Sequence, residues 1–352
     1  MKICFCVAGM HAGGAERVVS NLANFMSKDN EVYIVMVSSL ENKTFYKLDG
    51  SIQLLCVNKG KRTQPFKRLL TLRKLLLNIN PDVVISFLPH VNVYVHFALL
   101  GKKIVHIVSE RNDPKQTPQN ILLRILKHHS FKKADGCVFQ TQYSLDFFKK
   151  IPNDKKIIIY NPLFLNTDVI FEKGKTKNRI ITVGRLVEQK NQKELIRVFS
   201  KFIKIHPNFK LDIFGEGPLL DELIDFCCSL NMEQYVSFKG VSSNWHNKIN
   251  DYDFFVLPSK FEGMPNALLE AMSLGIPCIS SDCPAYGARE FITDGENGLL
   301  YQVNDDNGLL EAMNNILVTN INDNKYLIDK LNIEVIAEQW INFINEILER
   351  KR

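Results

Sequence analysis

The 352-residue sequence lacks the features that mark several classes of protein. Its eight cysteines include no CxxC pair, so neither a zinc ribbon nor a thioredoxin-like redox site is expected. It has no uninterrupted run of about 18 apolar residues, so no membrane-spanning helix is predicted. It also has no GxSxG or HExxH motif, which argues against a serine hydrolase or a zinc protease. With 45% hydrophobic residues and only 18 Gly and 13 Pro, it is not disordered or collagen-like.

Acidic residues are scarce in the first half of the chain. Residues 1–160 contain 24 Lys or Arg and 11 Asp or Glu, whereas residues 161–352 contain 20 and 27. Residues 50–81 contain no acid, and their cations form a basic segment at 59–74, made of Lys59, Lys61, Arg62, Lys67, Arg68, Arg73 and Lys74. Such a segment is typical of contact with an anionic lipid surface or with nucleic acid, and equally of a solvated helix face.

Short apolar runs rich in β-branched residues alternate with helical stretches along the chain, the pattern of parallel α/β layers. In the first half this predicts strands at 3–7, 32–37, 52–57, 83–87, 104–108, 136–139 and 157–160, and helices at 15–26, 66–77, 121–133 and 144–149. In the second half it predicts strands at 180–183, 210–214, 236–238, 254–257 and 278–280, and helices at 193–205, 219–230, 266–273, 288–293 and 333–348.

A linker separates the two halves. Asn161-Pro162 and the polar stretch 172–178 follow the last strand of the first half. We therefore predict an N-terminal domain at 1–165 and a C-terminal domain at 166–352, whose last helix either stays there or crosses back to the first domain. Two open α/β domains leave a cleft between them. Ligands bind such sheets beyond the carboxyl ends of the strands, so the loops there are expected to carry the chemistry.

Glycine turns follow two of the predicted strands. Gly13 and Gly14 come after the first strand, and Gly215 and Gly217 come after the strand at 210–214. Glycine lets the backbone approach a ligand closely, and a helix N-terminus attracts anions. An unliganded strand-to-helix turn has the same composition.

Two cations follow the strand at 180–183. Gly184 and Arg185 leave the strand, and Lys190 comes just before the next helix. A guanidinium that binds in bidentate fashion and an ammonium that acts as a point charge suit a diphosphate. Surface ion pairing is the alternative.

The sharpest signal is a pair of acids around the start of a predicted helix. Glu262 lies in the loop before Pro265, which suits a first helical turn, and Glu270 lies one to two turns into the helix. Two carboxylates with helix N-terminal amides between them are suited to hold the hydroxyl-bearing ends of a nucleotide sugar around its diphosphate. The alternative is that both acids only cap or solvate the helix.

In order and spacing, these motifs resemble the retaining GT-B glycosyltransferases of family 4. The matching segments are 13–17, 161–162, 184–191, 215–218, 257–259, 262–270, 275–277 and 297–300, so the resemblance covers nearly the whole chain. It is greatest to bacterial enzymes that extend lipid-linked oligosaccharides for capsule, O-antigen or glycan-transfer pathways, including N-acetylgalactosaminyl- and galactosyltransferases. The resemblance implies an α/β GT-B fold, with two Rossmann-like domains whose parallel sheets face each other across the cleft.

The resemblance also implies roles for single residues. In a UDP-sugar site, Glu270 would hold the ribose hydroxyls, Glu262 the transferred sugar, and Arg185 and Lys190 the diphosphate. The other donor-binding positions would be Gly13, Gly14, Gly184, Gly215, Gly217, Pro265, Asn266 and Ala267. Arg111 stands where many relatives have a histidine. Since a guanidinium does not shuttle protons, an electrostatic role is expected for it.

The expected partners follow from the same resemblance. The hexosyltransferase would take its acceptor as a polyprenyl-diphosphate-linked glycan, meet the anionic inner face of the cell membrane through the 59–74 segment, and bind neither metal, cofactor nor nucleic acid. Reduced, buried cysteines favour the cytoplasm. A GT-B nucleotide-sugar 2-epimerase and a non-catalytic binder of polyanions or membrane surfaces are the alternatives. Product analysis without acceptor tests the epimerase, and thermal stabilisation by UDP tests the bare binder.

Overall fold

A computed structural model describes residues 1–58, 60, 64–165, 169–174, 176–242, 244–322 and 324–351. The chain divides into two compact units, Met1–Pro162 with Leu331–Arg352, and Leu163–Lys330. The first unit therefore contains residues from both ends of the chain. The C-terminal residues, whose last helix was expected either to stay in the domain at 166–352 or to cross back, thus belong to the first unit. Lys59, Lys61 and Arg62 of the basic segment lie outside the described residues.

Each unit is built on one parallel sheet. The first sheet has the order β3-β2-β1-β4-β5-β6-β7 and the second the order β10-β9-β8-β11-β12-β13. Apolar runs that are buried on both faces form the central strands, as a parallel sheet between helical layers requires. The strands are β1 (Lys2–Val7), β2 (Glu31–Met36), β3 (Gln53–Cys56), β4 (Val83–Phe87), β5 (Val105–Ser109), β6 (Gly136–Phe139), β7 (Lys156–Ile158), β8 (Arg179–Val183), β9 (Lys210–Phe214), β10 (Val236–Gly240), β11 (Phe254–Leu257), β12 (Cys278–Ser281) and β13 (Leu299–Tyr301).

Helices connect these strands. They are α1 (Gly14–Met26), α2 (Pro65–Ile79), α3 (Pro89–Ala98), α4 (Ile121–Lys133), α5 (Gln142–Phe147), α6 (Gln192–Phe202), α7 (Leu220–Ser229), α8 (Asn266–Leu274), α9 (Asp306–Asn315), α10 (Tyr326–Lys330) and α11 (Ile333–Lys351). A 3-10 segment, Trp245–Asp251, precedes β11. None of the described helices has the length and apolar character needed to cross a bilayer.

The helices of the first unit lie on two faces of its sheet. One core joins β1, β2 and β4 to α2 and α3, and a second core joins β5 and β6 to Phe131 of α4. On the opposite face, α11 packs beside α1, and the ring centroid of Trp340 in α11 lies 6.1 Å from that of Phe87 in β4. The last helix of the chain is thus part of the core of the first unit.

The second unit has its own core. Buried residues of β8, β9, β11 and β12 pack against α6, α7 and α9. In this sheet β8 lies between β9 and β11, so the order of the strands reverses at the β8/β11 boundary. Open α/β sheets bind their ligands beyond the carboxyl ends of the strands at such a switch point.

Some elements of the described chain were not predicted from the sequence, and one predicted helix is wrong. The unpredicted elements include α3, β13, α9, α10 and the 3-10 segment Trp245–Asp251. The predicted helix at 288–293 is wrong, because those residues form turns and no helix is assigned there. In this described segment the i→i−4 bonds are isolated, from Glu290 N–H to Tyr286 O and from Ile292 N–H to Ala288 O, and do not continue into a helix.

Candidate active site

The predicted site residues of the second unit lie at the carboxyl ends of its parallel strands. Gly184 and Arg185 follow β8, Gly215 follows β9, and the loop with Glu262 follows β11. β8, β9 and β11 are parallel, so their carboxyl ends lie on the same side of the sheet and the loops that follow them are neighbours. Those after β8 and β11 leave the sheet at its switch point, where ligands of this architecture bind.

The glycines pack the β8 and β9 loops against each other. Gly184 N–H donates to Phe214 O over 2.9 Å, and Leu186 N–H donates to Glu216 O over 2.9 Å. A Cβ at Gly215, whose φ is +135°, would lie 1.9 Å from Gly184 O, and a Cβ at Gly217 would lie 2.3 Å from Leu186 O. These positions therefore need glycine for the contact between the loops, and their role in donor binding stays a prediction.

Glu262 pairs with Lys190 across the switch point. Lys190 Nζ donates to Glu262 Oε1, and Ser259 Oγ donates to the same oxygen over 2.6 Å. Glu262 is 6% exposed. A buried carboxylate is stable only when it is paired and hydrogen-bonded, and these two partners supply both conditions.

The backbone joins the same two loops. Lys260 N–H donates to Gln189 O over 2.8 Å, and Gln189 Nε2 donates to Phe261 O over 2.9 Å. Since these bonds hold residues next to Lys190 and Glu262, the cation and the carboxylate are fixed by their backbones as well as by their own contact. Arg185, in the loop after β8, is exposed.

Glu270 is held by a histidine that the sequence analysis missed. His246 Nε2 lies 2.8 Å from Glu270 Oε2, and Glu270 is 2% exposed. Because an ionised carboxylate only accepts, Nε2 is the nitrogen that carries the hydrogen. Nδ1 of His246 is buried and has no hydrogen-bond partner among the described residues. His246 lies in the 3-10 segment, far from any motif, so no spacing pattern in the sequence pointed to it.

The N-terminus of α8 lies between the two acids in the chain. Pro265 occupies the N-cap position, one residue before the first turn in which it was expected, and Asn266 and Ala267 begin the helix. The positive end of the helix dipole is therefore at these two residues, as anion binding requires. A Cβ at Gly287 would lie 1.6 Å from Gly263 O, so the segment after β12 packs tightly on this loop.

Cys283 is the cysteine nearest to this chemistry. Burial raises the pKa of its thiol to about 12, with a further contribution from the charge of Glu262. A thiol of that pKa is protonated at neutral pH and is not a nucleophile. Among the described residues, no three His, Cys, Asp or Glu side chains are grouped so that they could hold a metal ion.

The remaining predicted residues belong to the first unit. Gly13 is the N-cap of α1 and Gly14 its first residue. Tyr46 Oη donates to Gly13 O over 2.9 Å, and a Cβ at Gly13 would lie 2.2 Å from Glu16 Oε2. The Glu16 carboxylate thus folds back over this turn. A role of the two glycines beneath phosphates stays a prediction.

Arg111 follows β5 and is packed between aromatic rings. Its guanidinium carbon lies 4.5 Å from the ring centroid of Phe87 and 5.7 Å from that of Trp340. Nη1 donates to Asn161 Oδ1 over 2.6 Å. Burial lowers the pKa of Arg111 to about 9, opposed by the neighbouring Glu110, so Arg111 keeps its charge at neutral pH. Its electrostatic role in catalysis stays a prediction.

Comparison with known proteins identifies this α/β architecture as that of a glycosyltransferase. Residues 12–166 match the family model "Glycosyltransferase Family 4", and residues 166–332 match "Glycosyl transferases group 1". The two matches adjoin and together cover both halves of the chain, which belongs to this family of enzymes. The resemblance drawn from the motifs is confirmed.

Similar proteins of known name come from bacteria. The chain is 28% identical to a Campylobacter jejuni enzyme named GalNAc-α-(1→4)-GalNAc-α-(1→3)-diNAcBac-PP-undecaprenol α-1,4-N-acetyl-D-galactosaminyltransferase, over 99% of each chain. It is similar in structure to the lipopolysaccharide outer core galactosyltransferase WaaB, with a TM-score of 0.73, 22% identity and coverage of 98% and 99%. It is also similar to Anabaena HepE in complex with UDP and glucose, with a TM-score of 0.79, 16% identity and the same coverage. These structures confirm the predicted GT-B fold.

Proposed function

We propose that this glycosyltransferase moves a hexose or N-acetylhexosamine from a UDP-sugar to a polyprenyl-diphosphate-linked oligosaccharide, with retention of the anomeric configuration. The reaction would extend a lipid-linked glycan in the synthesis of a bacterial surface polysaccharide or a related glycan.

One observation carries the proposal. Two buried carboxylates, Glu262 and Glu270, lie before and within the first turns of α8, and each is anchored by a partner from another loop, Lys190 and His246. The carboxylates differ in surroundings, because one pairs with an ammonium and the other with an imidazole. A nucleotide sugar has hydroxyl groups at both ends and a diphosphate between them, and this arrangement supplies acceptors for the hydroxyls and a helix N-terminus for the phosphates.

The transition state would be stabilised by charge. As the bond from the anomeric carbon to the diphosphate oxygen breaks, negative charge grows on the departing UDP. Lys190, Arg185 and the amides at the start of α8 would stabilise that charge more strongly in the transition state than in the ground state, which would lower the barrier. The acceptor hydroxyl then forms the new bond on the same face and gives its proton to the departing phosphate. This route needs neither an enzymic nucleophile nor a metal.

The acceptor is proposed by similarity. The Campylobacter enzyme is named for an undecaprenyl-diphosphate glycan and WaaB for a lipopolysaccharide core. An acceptor with a polyprenyl anchor is confined to a membrane, so we place the enzyme peripherally on the cytoplasmic face. There its basic segment 59–74 would meet anionic lipid.

Product analysis tests the proposal. The protein would be incubated with a panel of UDP-sugars and a synthetic polyprenyl-diphosphate disaccharide, with and without EDTA, and the products weighed by mass spectrometry. We expect one UDP-sugar to add a single hexose or N-acetylhexosamine, EDTA to leave the rate unchanged, and NMR to show an axial anomeric linkage from an axial donor. An epimerised donor formed without acceptor, or the inverted linkage, would contradict the proposal.

A further inference from the structure

The segment after β12 has two consecutive residues in the left-handed region of the backbone. The angle φ is 68° at Ala285 and 53° at Tyr286. Glycine and asparagine adopt this conformation readily, whereas alanine and tyrosine do so against a steric clash of their Cβ atoms. Strained residues of this kind cluster at ligand sites, where the surrounding structure supplies the free energy that holds them. The segment is therefore a candidate for function.

The strained segment packs on the loop between β11 and α8. Glu262 N–H donates to Pro284 O over 3.3 Å. A Cβ at Gly287 would lie 1.6 Å from Gly263 O, so the two backbones are in direct contact. The chain before and after Tyr286 thus lies against the loop that carries Glu262, the carboxylate assigned to the transferred sugar.

Tyr286 is the point at which this packed segment opens to solvent. It is 42% exposed, whereas Cys283, Ala285 and Ala288 are 2% exposed or less. Two backbone hydrogen bonds hold the residue: its N–H donates to Cys283 O over 3.0 Å, and its carbonyl accepts from Glu290 N–H over 3.2 Å. The fold therefore presents an aromatic ring at the carboxyl end of β12 from a fixed backbone.

An aromatic ring next to a carboxylate suits a sugar. The faces of a pyranose carry C–H groups, which are attracted to the negative face of an aromatic ring, and its rim carries hydroxyl groups, which a carboxylate accepts. Small-molecule sites combine aromatic side chains with a few polar groups in this way. Exposure of a tyrosine alone would carry little weight, because its phenol tolerates water. The strained backbone and the contact with the Glu262 loop are the evidence.

We propose that Tyr286 is a specificity-determining residue, whose ring stacks on the pyranose of the UDP-sugar while Glu262 holds hydroxyl groups at its rim. An axial hydroxyl on the stacked face would keep the ring away from the C–H groups, so the ring would favour sugars whose stacked face lacks one. The inference rests on the proposed function for the UDP-sugar donor. It adds a residue of the sugar subsite that the proposed function leaves unassigned.

Calorimetry separates the sugar from the nucleotide. The affinity of the full chain is measured for UDP and for UDP-glucose, UDP-galactose, UDP-N-acetylglucosamine and UDP-N-acetylgalactosamine, and the tightest of these UDP-sugars is used for the variants. In Tyr286→Asn we expect the affinity for this UDP-sugar to fall about three- to tenfold, the range for one aromatic contact, while the affinity for UDP stays the same. Tyr286→Phe keeps the ring and should keep the affinity for the UDP-sugar within about twofold.

Thermal unfolding shows whether the ring has a structural role instead. Asparagine adopts the left-handed conformation more readily than tyrosine, so Tyr286→Asn should unfold at the same temperature as the unsubstituted protein or at a higher one. The matched control is Tyr326→Asn, which removes a ring that is 49% exposed in α10 of the same unit. This control should leave the affinities for UDP and for the UDP-sugar unchanged.

The outcomes distinguish this proposal from the proposed function. If the protein binds UDP and a UDP-sugar, and Tyr286→Asn binds both as before, the donor site stands and the role of Tyr286 is overturned. That role is also overturned if the variant loses affinity for both ligands to the same extent, if its loss of affinity comes with a lower unfolding temperature, or if only the KM for the acceptor rises. If the unsubstituted protein binds neither UDP nor any of the UDP-sugars, both proposals fail.

Discussion

Among single residues, His246 offers the sharpest test of the donor site. Its Nε2 lies 2.8 Å from Glu270 Oε2, so it fixes the orientation of the carboxylate that we assign to the ribose. We predict that Glu270→Ala weakens UDP binding by about 1.5–3 kcal/mol, the range for hydrogen bonds to a charged group. His246→Leu should weaken it less and should also reduce the preference for UDP over 2′-deoxy- and 3′-deoxy-UDP, measured by calorimetry.

The conservative variant separates positioning from a general structural effect. His246→Gln keeps an N–H donor close to the place of Nε2, so it should restore most of the preference for the ribose hydroxyls. A merely structural histidine would lower the affinity for UDP and for deoxy-UDP by the same factor. Comparing parent and variant with UDP and deoxy-UDP forms a thermodynamic cycle that measures the coupling between His246 and the ribose hydroxyls. If His246→Leu keeps the preference of the parent for UDP, His246 does not orient Glu270 towards the ribose.

The site residues that could be predicted from the sequence are those whose residue type and spacing are typical of a binding site. Two acids eight positions apart around a proline, and two cations after a strand, indicate chemistry without coordinates. His246 gives no such signal, because its contact with Glu270 depends on how the 3-10 segment packs under α8. The pairing of Lys190 with Glu262 was also not predicted, since it depends on strand order.

Among the elements, α6 contains a carboxylate whose burial makes stability depend on pH. Burial raises the pKa of Glu194 to about 7, with a further contribution from Asp306. Its folded pKa lies above its unfolded pKa, so the folded state binds the proton more tightly, and ionisation opposes folding. We predict that the free energy of unfolding of the unsubstituted protein decreases as the pH rises from about 4.5 to about 7. In Glu194→Gln the part of this decrease that comes from Glu194 should be absent.

Urea denaturation at pH 5 and pH 8 measures this difference. Glu194→Gln keeps an oxygen that accepts from Asn191 Nδ2, as Glu194 does, and it cannot ionise. Glu222→Gln is the control, because Glu222 is exposed and forms a surface ion pair with Lys193. Should Glu194→Gln show the same loss of stability between the two pH values as the parent, the buried carboxylate is not its source.

Buried parallel strands were the elements easiest to predict, and short or wholly apolar elements the hardest. β4, β6, β9 and β11 have the predicted bounds, because a strand covered on both faces is a mostly apolar run, although β9 also contains Lys210 and Asp212. α3 was missed because it is apolar on nearly all sides and so lacks the amphipathic contrast that reveals a helix. β13 has three residues, too few for any periodicity.

For the molecule as a whole, chain order and spatial order differ. The two parallel sheets are formed by the two halves of the sequence. The linker that begins at Asn161-Pro162 lies within a few residues of the division between the two units. Where the last helix packs was left open, since an amphipathic helix shows that it has an apolar side and not which core receives it. In the structure α11 completes the core of the first unit, with Trp340 beside Phe87 and Arg111.

This connectivity predicts where a substitution near the C-terminus acts. Trp340→Ala should lower the free energy of unfolding by about 3–5 kcal/mol, the usual cost of truncating a buried tryptophan, and Trp340→Phe should cost less. Hydrogen exchange followed by mass spectrometry should speed up in peptides from residues 1–162, including β4 and β5, while peptides from 179–330 keep the exchange of the parent. Faster exchange centred on α8 and β11 would contradict this prediction. It would show that α11 supports the donor-binding unit, which it directly follows in the sequence.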